Sequence, residues 1–431
     1  MKRAECLYYK NFKIDSNTIQ FVYEADGSSF IHRLNLSTEP SLNKKFLENV
    51  LKDLGMCFLL DISQVIYPRK IRLEFPYTVD RLDFWKSIYP QIAVEKLYIN
   101  KSDMPLLESN WELTKNEKIK TFKINKRRKK LLCVSGGKDS LAALKTFEGK
   151  ITFDLLFLEP KSNLFRFQAY EVLKNYFRTI SAHSEYYKFI RLFEKKYGSR
   201  IQSWFDVGQL IFLGLLFSDR YDSIWLANEY SANFGNDFYR GIEVNHQYTK
   251  SLKFAQKINK YIHQYHTPDF VYDSPFFGLY DFKVMDLFLS DSKYLYLWTS
   301  CNWADSKNNF CGFCYKCAFT YLTALAFSDK IFLRNFFPYD LLENEKLFEP
   351  LINPQSIKPL ECIGEKKEVW VALALIYQAG KDTASKTMKY FLRIYPLIEK
   401  KLNEYYEEIN SLQNINTNQN SRIRKILLEK L

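Results

Sequence analysis

Residues 131–140, LLCVSGGKDS, combine a short apolar run with a glycine-containing polar loop. The run Leu131–Val134 is partly β-branched, as expected for a buried strand of a parallel sheet. Two glycines then allow the backbone to approach an anion closely, and a helix is predicted to begin near Asp139. Successive N–H groups and the positive end of that helix favour a bound phosphate. The stretch therefore predicts a strand, a phosphate-binding loop and a helix.

The loop lacks the Gly-x-x-x-x-Gly-Lys-Ser/Thr spacing of a Walker A motif. It resembles instead the SGGxDS motif of the PP-loop ATP pyrophosphatases, which cleave ATP to AMP and pyrophosphate while activating a substrate. The resemblance implies that ATP phosphates and Mg²⁺ are bound by one continuous set of residues, namely Ser135, Gly136, Gly137, Lys138, Asp139 and Ser140. Lys138 would neutralise phosphate charge, and Asp139 would cap the helix or hold Mg²⁺.

Strand and helix patterns alternate on both sides of this loop. Strands are predicted at residues 151–158 and 223–227, and helices at 168–176 and 207–217, which indicates a parallel sheet with crossover helices. We expect an α/β fold with three parts: an α+β N-terminal domain (1–125), a PP-loop ATP-binding domain of Rossmann-like type (126–330) and a helical C-terminal region (331–431). In the N-terminal part, two strands flank Asp26-Gly27 as a hairpin, a helix is predicted near residues 42–54, and residues 94–99 are expected to form another strand.

Four of the eight cysteines lie close together, with the spacing C-x9-C-x2-C-x2-C: Cys301, Cys311, Cys314 and Cys317. Four thiolates at such spacing complete a tetrahedral Zn²⁺ shell, and Gly312 permits the tight backbone turn that a metal knuckle needs. An iron–sulfur cluster has the same ligand preference. We favour structural zinc and keep the cluster as the alternative.

The chain of 431 residues carries a net charge of +13. This charge is compatible with nucleic acid, an anionic membrane surface or a phosphorylated small molecule. The first residues lead into no apolar run, and the longest apolar stretch, residues 210–217, is far shorter than a membrane span. We therefore expect a cytoplasmic protein without a membrane span, and the sequence does not predict its oligomeric state.

Several further segments occur in a fixed order: NEYSAN (228–233), EVNHQYTKS (243–251), SCN (300–302), CGFCYKC (311–317) and KPLECIGE (358–365). Together with the GGKDS loop they resemble the ATP-dependent UDP-N-acetylmuramoyl-L-alanyl-L-glutamate epimerases of peptidoglycan synthesis. The resemblance extends over residues 130–370. It implies inversion of the terminal L-Glu of a UDP-sugar dipeptide to D-Glu, through adenylation of the α-carboxylate.

The resemblance also implies residue roles. Glu229 and His246 are candidates for proton transfer, beside Lys138 as a catalytic residue. Asn228, Arg240 and Lys250 are candidates for binding the substrate's carboxylates or diphosphate.

Two other functions fit parts of the sequence. A PP-loop enzyme that modifies a nucleobase, in tRNA or a deazaguanine precursor, would use the basic run Lys126–Lys130. A non-catalytic nucleic-acid-binding module with a zinc knuckle would use the same positive charge. Such a module has no need of a phosphate loop, so the intact loop argues against it. Nucleic acid is thus a disfavoured partner that the sequence leaves open.

Overall fold

The computed structural model describes residues 3–101, 109–116, 121–124, 129–159, 164–199, 205–301, 303–304, 309–413 and 421–430. A ten-stranded sheet with the order β12-β9-β6-β7-β8-β3-β2-β1-β4-β5 forms its centre. The strands are β1 (Cys6–Asp15), β2 (Thr18–Ala25), β3 (Ser28–Leu36), β4 (Lys70–Leu73), β5 (Asn110–Leu113), β6 (Lys130–Cys133), β7 (Phe153–Leu158), β8 (Thr179–Ser184), β9 (Ser223–Trp225) and β12 (Val271–Asp273). A separate two-stranded ribbon pairs β10 (Asp237–Tyr239) with β11 (Ile242–Val244).

The strands β12, β9, β6, β7 and β8 are mutually parallel, which confirms the predicted parallel sheet. Successive residues of β6 face opposite sides: Leu131 joins one hydrophobic core and Leu132 the other. Both faces of this strand are buried, which explains why its sequence is continuously apolar rather than alternating. The chain leaves β6 towards β7 on one side and later returns to β9 on the other, so strand order reverses at β6.

The N-terminal strands continue the same sheet. The predicted hairpin is confirmed, and Asp26 and Gly27 at its turn both have positive φ, as a tight hairpin turn requires. Strand β3 then pairs antiparallel with β8, with Leu36 opposite Ala182. The sheet therefore crosses residue 125, and the domain limits given above stay a prediction.

Helices cover both faces of the sheet and form most of the described chain beyond residue 330, as predicted. They are α1 (Lys44–Ile66), α2 (Val79–Asn100), α3 (Lys138–Phe147), α4 (Leu164–Leu173), α5 (Tyr186–Tyr197), α6 (Asp206–Leu215), α7 (Leu252–Tyr265), α8 (Asp281–Leu289), α9 (Tyr315–Phe327), α10 (Lys330–Leu333), α11 (Glu345–Ile352), α12 (Lys366–Gln378), α13 (Lys386–Asn410) and α14 (Ser421–Leu428). None of the helices in the described ranges is long and apolar enough to cross a membrane.

The predicted strand at residues 94–99 is wrong, because these residues form the last turns of α2. The helix begins after Thr78, whose hydroxyl accepts a hydrogen bond from the Arg81 N–H. Its buried residues, among them Trp85, Ile88 and Ile92, recur at helical spacing. The β-branched residues near the end of α2 suggested a strand, but burial of the apolar face of the helix outweighs that local preference.

A buried polar network joins α1, α2 and α7. The Asp53 carboxylate lies 2.6 Å from both Arg81 Nη2 and His266 Nε2, and it accepts hydrogen bonds from the hydroxyls of Tyr261 and Tyr77. Burial alone would raise the pKa of Asp53, but Arg81 and His266 outweigh it, so the pKa lies below its usual range. The network joins α1 and α2 to α7, which packs against β12.

Three predicted features fall partly or wholly outside the described residues. These are the basic run, of which residues 126–128 are not described, Asn302 of the SCN segment, and residues 414–420 of a polar tail that the sequence also predicts over 414–421. The sequence also predicts a basic helix after this tail, and α14 forms it.

Candidate functional site

The glycine loop connects β6 to α3 at the point where strand order reverses. Gly136 has φ of +82°, and a Cβ there would lie 3.3 Å from both Leu297 O and Thr299 Cγ2. Two hydrogen bonds hold the loop to the segment before the cysteine cluster: Thr299 N–H donates to Gly136 O (2.9 Å), and Lys138 N–H donates to Ser300 Oγ (3.2 Å). In open parallel sheets, ligands bind at such reversal points, beyond the carboxyl ends of the strands.

Three carboxylates meet beside this loop. One oxygen from each of Asp139, Glu229 and Asp281 lies within 4.8 Å of the others. They come from the first turn of α3, the segment after β9 and the first turn of α8. Lys138 Nζ pairs with Asp139 and lies 2.9 Å from Asp281 Oδ1. We call Lys138 and these three acids the acidic cluster.

The three acids of the acidic cluster have one ammonium, that of Lys138, at ion-pair distance among the described residues. Burial, followed by the charges of Asp139 and Asp281, raises the pKa of Glu229 to about 7, although Lys250 and Lys138 oppose the shift. Burial likewise raises the pKa of Asp281. Within the described residues, the Glu229 carboxylate accepts no hydrogen bond. Oxygen ligands in this arrangement suit a hard divalent cation.

Backbone and buried polar groups position the acids. Asp281 N–H donates to Ser231 Oγ (3.0 Å), and Ser231 Oγ donates to Glu368 Oε1 (2.7 Å). Asn228, predicted to bind substrate, donates its amide to the Tyr272 hydroxyl (2.6 Å) and accepts from Ser274 Oγ at its backbone oxygen. Asn228 thereby orients the segment that carries Glu229.

The four clustered cysteines come together as the spacing predicts. One sulfur from each of Cys301, Cys311, Cys314 and Cys317 lies within 4.8 Å of the others, which is compatible with tetrahedral ligation by thiolates. Gly312 has φ of +78°, and its carbonyl accepts a hydrogen bond from the Tyr339 hydroxyl. Because Thr299 and Ser300 directly precede Cys301, the cysteine cluster anchors the segment that holds the glycine loop.

The remaining predicted residues occupy two places. His246 Nδ1 lies 2.9 Å from Glu95 Oε1, and Lys250 Nζ lies 3.2 Å from Cys362 Sγ. Arg240, in contrast, is exposed in the turn between β10 and β11, with its guanidinium over the Tyr239 ring. It is not part of the acidic cluster.

Sequence reasoning missed Asp281, Ser300, Glu95 and Cys362. Cys362 belongs to the quoted KPLECIGE segment, but its sequence position gave no reason to separate it from the scattered cysteines. Glu95 lies in the segment mistaken for a strand. Asp281 follows an apolar and aromatic stretch, and only the packing of α8 on α3 brings it to Lys138.

The sheet and the loop at its reversal point define an open-sheet α/β protein with a candidate anion and cation site. Two family models match the chain: the MurL N-terminal domain over residues 1–173 and 209–274, and the MurL C-terminal domain over residues 297–404. The chain belongs to the MurL family.

Two curated relatives are named UDP-N-acetyl-alpha-D-muramoyl-L-alanyl-L-glutamate epimerase. The protein of Xanthomonas oryzae pv. oryzae (strain MAFF 311018) is 29% identical over 181 residues, which are 40% of this chain and 40% of the relative. That of Micromonospora sp. (strain ATCC 39149 / NRRL 15099 / SCC 1413) is 28% identical over 177 residues, 39% of this chain and 40% of the relative. The matches thus span less than half the length of these relatives. No solved structure matches the chain.

Proposed function

We propose that the protein is an ATP-dependent epimerase that inverts the terminal L-Glu of UDP-N-acetylmuramoyl-L-Ala-L-Glu, a step in peptidoglycan precursor synthesis. The observation that carries this proposal is the acidic cluster at the start of α3, beside a glycine loop at the reversal point of the sheet. Membership of the MurL family and the names of the relatives support this choice of substrate.

The loop would bind the phosphates of ATP, and the carboxylates of the acidic cluster would bind the accompanying cation. The N-terminus of α3 and the Lys138 ammonium attract the phosphates, while Gly136 lets them approach the backbone. Asp139, Glu229 and Asp281 would hold Mg²⁺, which when bound neutralises phosphate charge. Lys138 is paired with two of these acids, so its ammonium would lie beside both the phosphates and the cation.

The proposed chemistry begins at the α-carboxylate of the terminal glutamate. A carboxylate oxygen attacks the α-phosphorus of ATP, and the bond to the departing pyrophosphate breaks. The resulting acyl adenylate no longer carries the carboxylate charge, so removal of the Cα proton yields a far less charged enolate. After the proton returns on the opposite face, water cleaves the adenylate to the D-glutamyl product and AMP.

The four clustered cysteines are proposed to hold structural zinc. The close sulfur–sulfur approach, 3.6 Å between Cys311 and Cys317, fits ligands of a single tetrahedral ion. Such a site would keep Thr299 and Ser300 in place against the glycine loop.

The function is tested by incubating the full chain with ATP, Mg²⁺ and UDP-N-acetylmuramoyl-L-Ala-L-Glu. Substrate-dependent release of AMP and pyrophosphate, with D-Glu found by chiral analysis, is the expected result. Pyrophosphate release that depends on tRNA and not on the dipeptide would contradict it.

Lys138→Ala tests the acidic cluster directly. Loss of a cation that stabilises the transferring phosphoryl group is expected to lower kcat by about 10²–10³-fold. The matched control is Lys145→Ala on the same helix, whose ammonium contacts Phe288 O and Ser290 Oγ instead. Equal losses in the two variants would contradict the assignment.

Zinc is tested by elemental analysis of the purified protein. One zinc per chain is expected in the wild type and in Cys6→Ser, and a strongly reduced content in Cys311→Ser. Iron with acid-labile sulfide in place of zinc would show the iron–sulfur alternative to be right.

A further inference from the structure

A second group of ionisable side chains lies next to the acidic cluster. Lys250 Nζ is 3.2 Å from Cys362 Sγ, and the His246 ring lies close enough for its charge to act on that sulfur. On its other side, His246 Nδ1 contacts the buried Glu95 carboxylate at 2.9 Å. We call Cys362, His246, Glu95 and Lys250 the thiolate group.

The surroundings of the sulfur favour its ionised form. Burial alone raises the pKa of Cys362, but the charges of Lys250 and His246 outweigh it and place the pKa well below the usual range. Burial also lowers the pKa of His246, but the negative charges of Cys362 and Glu95 reverse the shift and raise it to about 10. The contact between Lys250 Nζ and Cys362 Sγ is that of a cation beside a thiolate, and Glu95 orients the neighbouring His246 ring.

Two lysine side chains act electrostatically on both the thiolate group and the acidic cluster. The Lys250 charge acts on both Cys362 and Glu229, and the Lys316 charge acts on both Cys362 and Asp281. The sulfur therefore lies within electrostatic reach of the proposed phosphate and cation site.

Packing alone does not account for this arrangement. Its members come from four separate segments. Glu95 lies in α2, His246 lies two residues after β11, Lys250 ends the 3-10 turn Tyr248–Lys250, and Cys362 lies in the loop before α12. Cys362 is only partly buried as a residue. Ionised and accessible cysteines beside cations are typical of reactive sites, whereas structural cysteines are buried and neutral.

We propose that Cys362 is the acid–base residue that removes the Cα proton of the activated glutamate, with His246, Glu95 and Lys250 as positioning residues. The proposal rests on the epimerase function proposed above. It assigns His246 an indirect role, through the sulfur, rather than direct proton transfer.

The step is balanced with water as the second reactant. The Cys362 thiolate takes the Cα proton, and the electrons of the broken C–H bond form the enolate of the acyl adenylate. Water on the opposite face then gives a proton to Cα as the enolate electrons return. The hydroxide left behind takes the proton of the Cys362 thiol, which restores the thiolate.

The proposal is tested in D₂O, where the reaction should place deuterium at Cα of the D-Glu product. Cys362→Ser and Cys362→Ala are expected to lose deuterium incorporation and D-Glu formation by about 10²–10⁴-fold, the usual contribution of a general base. Both variants are expected to keep substrate-dependent pyrophosphate release, which also shows that they fold. Cys6→Ser, another partly buried cysteine, is the matched control and should behave as wild type.

The outcomes separate the two proposals. Wild-type protein that neither releases pyrophosphate with the dipeptide nor forms D-Glu overturns both. Wild-type activity together with normal deuterium incorporation in Cys362→Ala overturns the role of Cys362 alone.

Alkylation of the wild type gives a test that needs no variant. At pH 6.5, iodoacetamide should modify Cys362 faster than Cys6. The positive charges of Lys250, His246 and Lys316 stabilise the Cys362 thiolate, and they outweigh the negative charge of Asp206, which destabilises it. Faster modification of Cys6, whose pKa burial raises, would contradict an ionised Cys362.

Discussion

Asp53 and Glu229 are both buried carboxylates, but they are surrounded in opposite ways. Asp53 lies 2.6 Å from Arg81 Nη2 and accepts further hydrogen bonds from His266 and Tyr261, and its pKa is lowered. Glu229 faces two other acids, and its pKa is raised to about 7. One carboxylate is fully compensated within the protein, and the other is not.

The difference distinguishes a structural polar network from a binding site. A compensated network stabilises the folded chain and leaves no charge for a ligand. An undercompensated cluster costs stability until a cation arrives, and such strain is common at functional sites. Substitutions in the two networks should therefore change stability in opposite directions.

The largest expected effect follows removal of the Asp53 partner. Arg81→Met leaves Asp53 buried without its cation and should lower the free energy of unfolding by about 3–5 kcal/mol in urea denaturation. Arg393→Met, which breaks an exposed pair with Glu345, should cost less than about 1 kcal/mol. Similar losses in the two variants would show that Asp53 does not depend on Arg81.

Glu229→Gln should have the opposite sign. The folded-state pKa of Glu229 is raised. The destabilisation that its charge causes is therefore absent below pH about 4.5, grows as the pH rises towards about 7, and is complete above that pH. The variant should match wild type in acid and gain about 2–3 kcal/mol above pH 7 without Mg²⁺, while losing activity. Glu171→Gln, an exposed residue paired with Lys174, should show no such gain. A destabilised Glu229→Gln at pH 8 would contradict the comparison.

Mg²⁺ should reduce the contrast between the two networks. At ten times its Kd the ion should raise the free energy of unfolding of wild type by about 1.4 kcal/mol, measured as a shift in thermal midpoint. The gain should disappear in Asp281→Asn. It should persist in Asp286→Asn on the same helix, where the carboxylate only pairs with Lys283. Equal responses of the two variants would place the ion elsewhere.

The smallest effect concerns the loop beside Glu229. Gly136→Ala and Gly198→Ala both place a side chain at positive φ, so each should cost about 1 kcal/mol of stability. Only at Gly136 does the new Cβ meet neighbours, namely Leu297 O and Thr299 Cγ2. Pyrophosphate release should therefore fall in Gly136→Ala alone, and equal activities would show that the loop is not involved.

Local sequence predicted the parts of the site that lie close together in the chain. The strand before Ser135, the helix after it and the Cys311–Cys317 spacing are determined by short-range chemistry, and the structure contains each of them. The Asp26-Gly27 hairpin was predictable for the same reason, since its turn type demands those residues.

Long-range partners were not predictable in this way. The pairing of Glu95 with His246 joins residues separated by 151 positions, and that of Lys250 with Cys362 by 112. Single polar residues such as Asp281 carry no local pattern, and their role appears only when two helices pack. The strand predicted at residues 94–99 shows the converse, because tertiary packing overrode β-branched composition.

The short pairing of β3 with β8, from Leu34 opposite Ser184 to Leu36 opposite Ala182, also protects against self-association. Without it, β8 would be the unpaired edge of a parallel sheet, with its N–H and C=O groups free to add a strand from another molecule. The N-terminal meander covers that edge within the same chain. A fragment that begins after residue 129 would expose this edge and is expected to aggregate. The N-terminal strands would therefore keep the protein from aggregating, besides extending the sheet.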